Sequence, residues 1–473
     1  MAVQLFVEIF KVVNIMKILK HGDERVIKII KKKHLDGDAG YKVSQFVYQF
    51  SEGGRYLLRN TLTKETAELT QSEWKAFEQV RNNGAEREYI DNNGLLQLAL
   101  TGYIVENDLD EIQQYQSVVF LLKTMAKEKP GLKGYTILPT TACNARCVYC
   151  YEEGYAVKTM TPEIADRLID FICETRQDDT ISLRWFGGEP TICAKTISYI
   201  CGELKKRGVL FKSSMVTNAS LITKELAHEM KEQWELKRVQ VSLDGARRDY
   251  ELRKRYISPD KHNYDVVMQS IKFLADEGIK IILRCNFDGE NIDRLKGFID
   301  EIKERFESYT NVSLYLSLLY QEQHKESCID LYRKMFELND YISKAGVIHS
   351  ERSKNKTKLK CNYCMADSMD KSIVIAPDGT FYNCEHMPEH NTWGNISDDI
   401  TDRNRFDELT TPAKLDDKCK KCLFLPECTP FYKNGCPGWF DKCYEYNCLK
   451  AEYSMHALLT GAQDIDDTDD LQI

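Results

Sequence analysis

A chain of 473 residues that is 42% hydrophobic and 29% charged, with 11 prolines and 25 glycines, excludes a disordered or collagen-like polymer and has room for two to four domains with cores of their own. A formal charge of -8, from 73 acidic against 65 basic residues, argues against a nucleic-acid clamp, which needs a basic face. No run of about 18 uninterrupted apolar residues exists, so neither a membrane span nor a membrane partner is expected.

In chain order, residues 1–40 read as one or two amphipathic helices, with Val3, Phe6, Val7, Phe10 and Val13 on one face and a solvated basic run at Lys31, Lys32 and Lys33. Met16 competes with Met1 as the start. Residues 43–69 predict a β-hairpin, because Phe46, Tyr48 and Phe50 alternate before the turn Gly53-Gly54 and the chain returns through Tyr56, Leu57 and Leu58. Thr70 and Glu73 form a capping box for a helix whose apolar face is Trp74, Phe77 and Val80. A short helix around Leu95 to Leu100 ends at Gly102, and Tyr103-Ile104-Val105 leads out of it. These elements predict a small winged-helix-like module within residues 1–125.

From Tyr135 short apolar runs alternate with helical segments. The expected strands are Tyr135–Pro139, Ile181–Phe186, Lys212–Thr217, Arg238–Leu243, Ile279–Asn286 and Val312–Leu319, and helix starts such as Thr161-Pro162 lie between them. Six such units over residues 134–325 predict an α/β fold, a parallel sheet wound with helices and open or partly closed as a barrel. Chemistry in such folds gathers at the carboxyl ends of the strands. Beyond about residue 355 the periodicity fades into a loop-rich segment, 355–450, and residues 460–473 are an acidic tail.

Seventeen cysteines need an explanation. Residues 1–142 contain none, nine fall between Cys361 and Cys448, and Cys143, Cys147 and Cys150 lie within eight positions. Disulfides would require a secretory signal, and the opening residues show no cleavage site, so the clusters point to metal ligation in a reduced, cytoplasmic setting. Cys173, Cys193, Cys201 and Cys328, with Cys285 less clearly, read as small buried hydrophobes.

Cys143-Asn-Ala-Arg-Cys147-Val-Tyr-Cys150 places three thiols in the loop after the first barrel strand. Three ligands hold three corners of a cubane and leave one iron open for a small molecule. This C-x3-C-x2-C spacing resembles the radical S-adenosylmethionine superfamily, and the motifs on the next strands strengthen the resemblance. It implies a partial (β/α)6 barrel, S-adenosylmethionine and one 4Fe-4S cluster. Trp185-Phe186-Gly187-Gly188-Glu189-Pro190 matches the motif whose backbone and acid hold the cofactor's amino group. Asn218, Ser242 and Asp244, Arg284 and Asn286 match positions that line its ribose and carboxylate, with Arg253 as carboxylate partner. Tyr149 matches a position that packs near the adenine. Relatives show His-Asp where this chain has Tyr250-Glu251.

The C-terminal cysteines resemble the SPASM extension, which binds two auxiliary 4Fe-4S clusters. The resemblance implies Cys361, Cys364, Cys384 and Cys436 for one and Cys419, Cys422, Cys428 and Cys448 for the other. Cys443 is left over and competes with Cys436 or Cys448. Paired C-x2-C spacings also suit tetrahedral zinc, and the motif upstream favours iron-sulfur.

Peptide-modifying relatives carry an N-terminal module of winged-helix type that captures a leader peptide by strand addition. The chain is therefore expected to install a thioether or carbon-carbon crosslink in a ribosomally made precursor peptide, with a reducing partner such as flavodoxin or ferredoxin. Oxidation of a folded protein, as in sulfatase maturation, and a zinc scaffold are the alternatives. A chain starting near Lys127 is expected to keep its clusters.

Overall fold

The computed structural model describes residues 16–32, 35–125, 131–177, 180–346, 358–359, 371–385, 392–397, 402, 404–405, 408, 415–428 and 442–461. The N-terminal region begins with β1 (Lys17–Lys20), followed by β2 (Gly40–Val43), β3 (Val47–Glu52), β4 (Arg55–Asn60), β5 (Thr66–Leu69), β6 (Ala85–Glu86) and β7 (Ile104–Glu106). β3 and β4 form the expected hairpin, with Glu52 opposite Arg55 and both turn glycines at positive φ, 57° and 78°. A two-residue loop of that kind needs glycine-like backbone at both positions. The helix Gln71–Asn83 is capped as the sequence predicts: Thr70 accepts from Glu73 N, and the Glu73 carboxylate accepts from Thr70 N at 2.8 Å.

Residues 17–20 correct the helical reading of the first 40. They pair antiparallel with β5, because Met16 and Ile18 fill the core that also holds Leu58, Ala67 and Phe77. Among the described residues up to 40 only Glu24–Ile30 is helical, and residues 1–15 lie outside the described residues.

The second region carries β8 (Gly134–Thr140), β9 (Ile181–Gly187), β10 (Phe211–Thr217), β11 (Leu236–Ser242), β12 (Lys280–Phe287) and β13 (Val312–Leu318), each within two residues of its predicted bounds. All pair in parallel in chain order. Alternate residues go to opposite faces. Ile137, Leu183, Trp185, Met215, Val239, Val241 and Leu283 pack outward against the helices Pro162–Thr175, Ala194–Lys206, Tyr264–Asp276 and Leu295–Phe306. Leu138 and Phe186, and separately Ile282 and Tyr315, form small clusters on the inner face.

The sheet does not stop at β8. A strand from the cysteine-rich segment, β14 (Ser372–Ile375), adds in parallel to its outer edge, with Ile375 opposite Ile137, and β15 (Thr380–Tyr382) and β16 (Thr392–Asn395) follow antiparallel.

The four-stranded sheet β1-β5-β4-β3 is covered on both faces. Tyr56 stacks on Trp74 of the helix on one side, at 5.2 Å between ring centroids. On the other, Arg59 pairs with Glu427 at 2.8 Å, Tyr48 packs on Phe424, and Glu52 meets His456 at 2.9 Å. No helix among the described residues is long and apolar enough to cross a membrane.

Candidate functional site

Thr140 ends β8, and the loop that follows holds Cys143, Cys147 and Cys150. A second segment straps it down: Arg146 N donates to Lys254 O (3.1 Å) and Arg255 O (3.0 Å), Val148 N to Arg253 O (3.0 Å), and Ile257 N to Asn144 O (2.9 Å). The three thiols are partly buried. Burial raises the pKa of each, that of Cys143 to about 12, and the three act on one another electrostatically. Thiols that burial keeps protonated ionise only against a cation. Among the described residues, no three such side chains converge as ligands of a single ion would.

β9 delivers the Gly187-Gly188-Glu189 turn against this loop. A side chain at Gly187 would strike the Thr140 carbonyl, and one at Gly188 the carbonyls of Thr141 and Ala142, so only glycine lets the two turns approach. Glu189 N donates to Ala142 O at 2.8 Å. The Glu189 side chain is 0% exposed: Thr191 N (3.1 Å), Thr191 Oγ1 (2.5 Å) and Thr217 Oγ1 (2.7 Å) donate to its Oε1, and Asn218 N (2.7 Å) donates to its Oε2. It staples the ends of β9 and β10 together. Asn218 turns its amide to Asn144 Oδ1 (2.9 Å), with Cys143 Sγ at 3.9 Å.

β11 and β12 contribute a buried charged network. Asp244 accepts from the Tyr149 hydroxyl and from Asn286 Nδ2 (2.8 Å), and pairs with Lys254 Nζ at 3.3 Å; Lys254 also donates to Tyr149 Oη at 2.9 Å. Burial works against the Lys254 ammonium, but Asp244, then Tyr149 and Cys147, outweigh it and hold its pKa well above the usual lysine value. Tyr149 thus serves this network through its hydroxyl. Asn291 closes the network by donating to the Asp244 carbonyl at 3.1 Å.

Arg253 pairs with Asp288 through Nη1 at 2.8 Å, while its buried Nε and Nη2 have no partner among the described residues. Arg284 lies one layer deeper, opposite Tyr315 in the register and bonded to Ser317 Oγ at 3.1 Å. Ser242 ends β11 half-buried.

The described C-terminal cysteines are Cys384, Cys419, Cys422, Cys428, Cys443 and Cys448; Cys361, Cys364 and Cys436 lie outside the described residues. Cys443 hydrogen-bonds Cys428, which holds the Cys443 thiol below its ordinary pKa, and it lies within electrostatic reach of Cys419 and Cys422. Cys448 hydrogen-bonds Tyr444 and lies within electrostatic reach of Cys422. The leftover cysteine of the sequence is therefore part of this group. Cys193, Cys201, Cys285 and Cys328 are buried and Cys173 half-buried, as expected of packing residues.

Residues 137–302 match the Radical SAM superfamily. The chain carries a radical SAM domain. An uncharacterised protein of Methanocaldococcus jannaschii is 24% identical over 275 residues, 57% of this chain and 90% of that one. Fe-coproporphyrin III synthase of Methanosarcina barkeri is 27% identical over 168 residues, 35% of this chain and 39% of that enzyme. The solved structure of anSMEcpe with bound AdoMet and the Cp18Cys peptide superposes at a TM-score of 0.52 with 18% identity, over 70% of this chain and 99% of its own, and shares the fold.

A radical SAM domain implies an enzyme using S-adenosylmethionine and a 4Fe-4S cluster, and the residues present fit both. Three partly buried thiols on one loop, within electrostatic reach of one another, suit three corners of a cluster better than one ion, and the unpartnered Nε-Nη2 edge of Arg253 is the fork that takes a carboxylate bidentately. Sequence reading missed Lys254. It follows Arg253 at a helix end, where a basic pair reads as solvated, and only the fold reveals Asp244 beside it.

Proposed function

We propose that this radical SAM enzyme matures a ribosomally made precursor peptide, installing a thioether or carbon-carbon crosslink. In this reading residues 1–125 hold the leader, 134–325 form the radical SAM core, and 355–450 carry two auxiliary 4Fe-4S clusters as a SPASM domain. Cys143, Cys147 and Cys150 would hold the first cluster. Arg253 takes the carboxylate of S-adenosylmethionine, the carbonyls of the Gly187-Gly188 turn take its ammonium, and Asn218, Ser242 and Asn286 line its ribose. When bound, the pair supplies abstraction of a hydrogen atom from an unreactive carbon. Arg284 faces the barrel lumen beside Tyr315 with no carboxylate among the described residues, and suits an acidic group of the substrate. Cys419, Cys422, Cys428 and Cys443 would ligate one auxiliary cluster, with Cys448 beside it; Cys384 would serve the other.

The observation that supports the peptide reading is β3. It is a six-residue edge strand, pairs only with β4 among the described residues, and packs through Tyr48 onto the cysteine-rich segment. A two-residue hairpin places Glu52 and Arg55 in a hydrogen-bonded pair, so the backbone groups of Ser51 and Gln49 point to the open side, while the Val47 N–H is already taken by the Ser44 carbonyl at 3.2 Å. An extended leader added there gains main-chain hydrogen bonds next to the site. The neighbour anSMEcpe has been solved with a peptide bound. Ser51→Pro removes one outward N–H, and proline is tolerated on an edge strand. The full chain with this change should fold and cleave S-adenosylmethionine, yet bind the full-length precursor weakly and leave its mass unaltered. Unchanged precursor affinity and crosslinking would refute the leader assignment.

A further inference from the structure

The inner face of the barrel is positive, in a chain whose net charge is -8. None of the six strands β8 to β13 contains an aspartate or a glutamate. Period-two alternation sends Trp185, Leu283 and Leu316 out to the helices, so Arg184, Arg284 and Tyr315 point into the lumen. Tyr315 reaches across β12 to donate to Gln240 Oε1 on β11 at 3.1 Å, and its ring packs on Ile282. Both guanidinium groups act electrostatically on the Tyr315 hydroxyl, which sets them around one small volume.

The two arginines differ in what they meet. Arg184 Nη2 lies 3.5 Å from Glu385 Oε1, a carboxylate that enters from the cysteine-rich segment beyond β15, and its guanidinium sits 5.3 Å from the Phe186 ring. Arg284 donates Nη2 to Ser317 Oγ at 3.1 Å and meets no carboxylate among the described residues, and its buried Nε has no acceptor there. The acids at the neighbouring strand ends are committed elsewhere, Asp244 to Lys254 and Glu189 to Thr191, Thr217 and Asn218. A guanidinium stays charged throughout the pH range in which proteins fold. Held half-buried without a counter-ion it costs stability, and a bound anion offsets that cost.

We propose that the barrel lumen is a carboxylate receptor, in which Glu385 satisfies Arg184 and a carboxylate of the substrate satisfies Arg284. The proposal rests on the reading that the substrate is a peptide, and it names the peptide's class: the residue that enters the lumen is, or adjoins, an aspartate, a glutamate or the C-terminal residue. The planar fork of Arg284 matches both carboxylate oxygens, while Ser317 steadies Nη2 and the Tyr315–Ile282 surface packs the carbons that carry the acid. An amide of the same shape would turn an NH2 group toward the guanidinium and is rejected. Arg284 is thus a specificity determinant that serves the substrate, and the carboxylate of the cofactor is left to Arg253.

The test uses the full chain, anaerobically reconstituted, unreduced and saturated with S-adenosylmethionine. The probes are acetyl-Gly-Asp-Gly-amide, acetyl-Gly-Asn-Gly-amide, acetyl-Gly-Asn-Gly with a free carboxyl end, and propionate, with binding read by ligand-detected NMR. The aspartyl peptide should bind at least about tenfold more tightly than the asparaginyl amide, as one charge-assisted hydrogen bond requires. Arg284→Gln should abolish that preference, and Arg284→Lys should keep part of it. Thermal unfolding separates a binding role from a structural one: Arg284→Gln removes an uncompensated charge and should leave the chain at least as stable, whereas a marked fall in Tm overturns the proposal. Tighter binding of the free-carboxyl peptide than of the aspartyl one assigns the lumen to the C-terminus of the substrate. No difference among the probes, in affinity or in dependence on Arg284, overturns the proposal, and so does weaker binding of S-adenosylmethionine itself by Arg284→Gln. If propionate binds through Arg284 while no peptide does, the carboxylate receptor stands and the peptide reading falls.

Discussion

Lys254 is a buried cation whose counter-charge, Asp244, is 0% exposed. Removing one partner of a buried ion pair strands the other, and that is worth about 3–5 kcal/mol, more than the pair contributes as a pair. Lys254→Met should therefore lower stability by about this amount in urea unfolding, and Asp244→Asn in the same chain should restore most of it. A cost under about 1 kcal/mol would show that Lys254 reaches solvent. At Arg253 the open Nε-Nη2 edge predicts a different outcome. Arg253→Gln should weaken S-adenosylmethionine binding about tenfold to a hundredfold, the equivalent of a charge-assisted bond of roughly 1.5–3 kcal/mol, while iron content holds. Calorimetric titration reads it, and an unchanged Kd removes Arg253 from the site. Residue types at strand ends made both neighbourhoods legible in the sequence. What the sequence hid is who meets whom: the Glu189 carboxylate accepts from Thr191, Thr217 and Asn218, partners that no spacing in the sequence names.

At the scale of elements, the four-stranded N-terminal sheet is wedged between its own helix and the cysteine-rich segment. Val26, Phe46, Tyr115 and Leu122 share one core with Leu425, and Thr61 Oγ1 donates to the Leu423 carbonyl at 2.5 Å. This packing reverses the expectation for a chain starting near Lys127. With its apolar partners gone, the segment around Cys419, Cys422 and Cys428 should unfold, and the shortened protein should lose about two thirds of its iron while keeping the loop cluster. Full iron content after truncation would show that the segment stands alone. The same sheet has an acid limit. Glu68 is held at a pKa of about 2, first by its hydrogen bond from Arg55 and further by Lys17, against an ordinary value of 4.5. Its folded pKa is the lower one, so its contribution is whole above pH 4.5 and fades as pH falls toward 2. Glu68→Gln should flatten that part of the thermal stability profile, and an identical acid slope in both proteins would contradict this.

Across the whole molecule, the barrel was the most legible part. Strands such as Ile181–Gly187 and Phe211–Thr217 bury every second residue against the helices and so show as short alternating runs, and the helices between them carry caps such as Thr161 before Pro162. β14 was not legible, because four residues of a cysteine-rich loop became a strand only by pairing with β8. β1 was missed for the same reason, since Lys17–Lys20 is too short to show a period and takes its form from β5. Cys443 joined the C-terminal group through a fold that spacing alone does not specify. The chemistry proposed for this chain begins at the loop after β8, and one measurement reaches it directly. The reconstituted enzyme, reduced with dithionite under anaerobic conditions, should convert S-adenosylmethionine to 5'-deoxyadenosine and methionine. With Cys143, Cys147 and Cys150 all replaced by alanine it should form neither, and persistent cleavage in that variant would contradict the assignment.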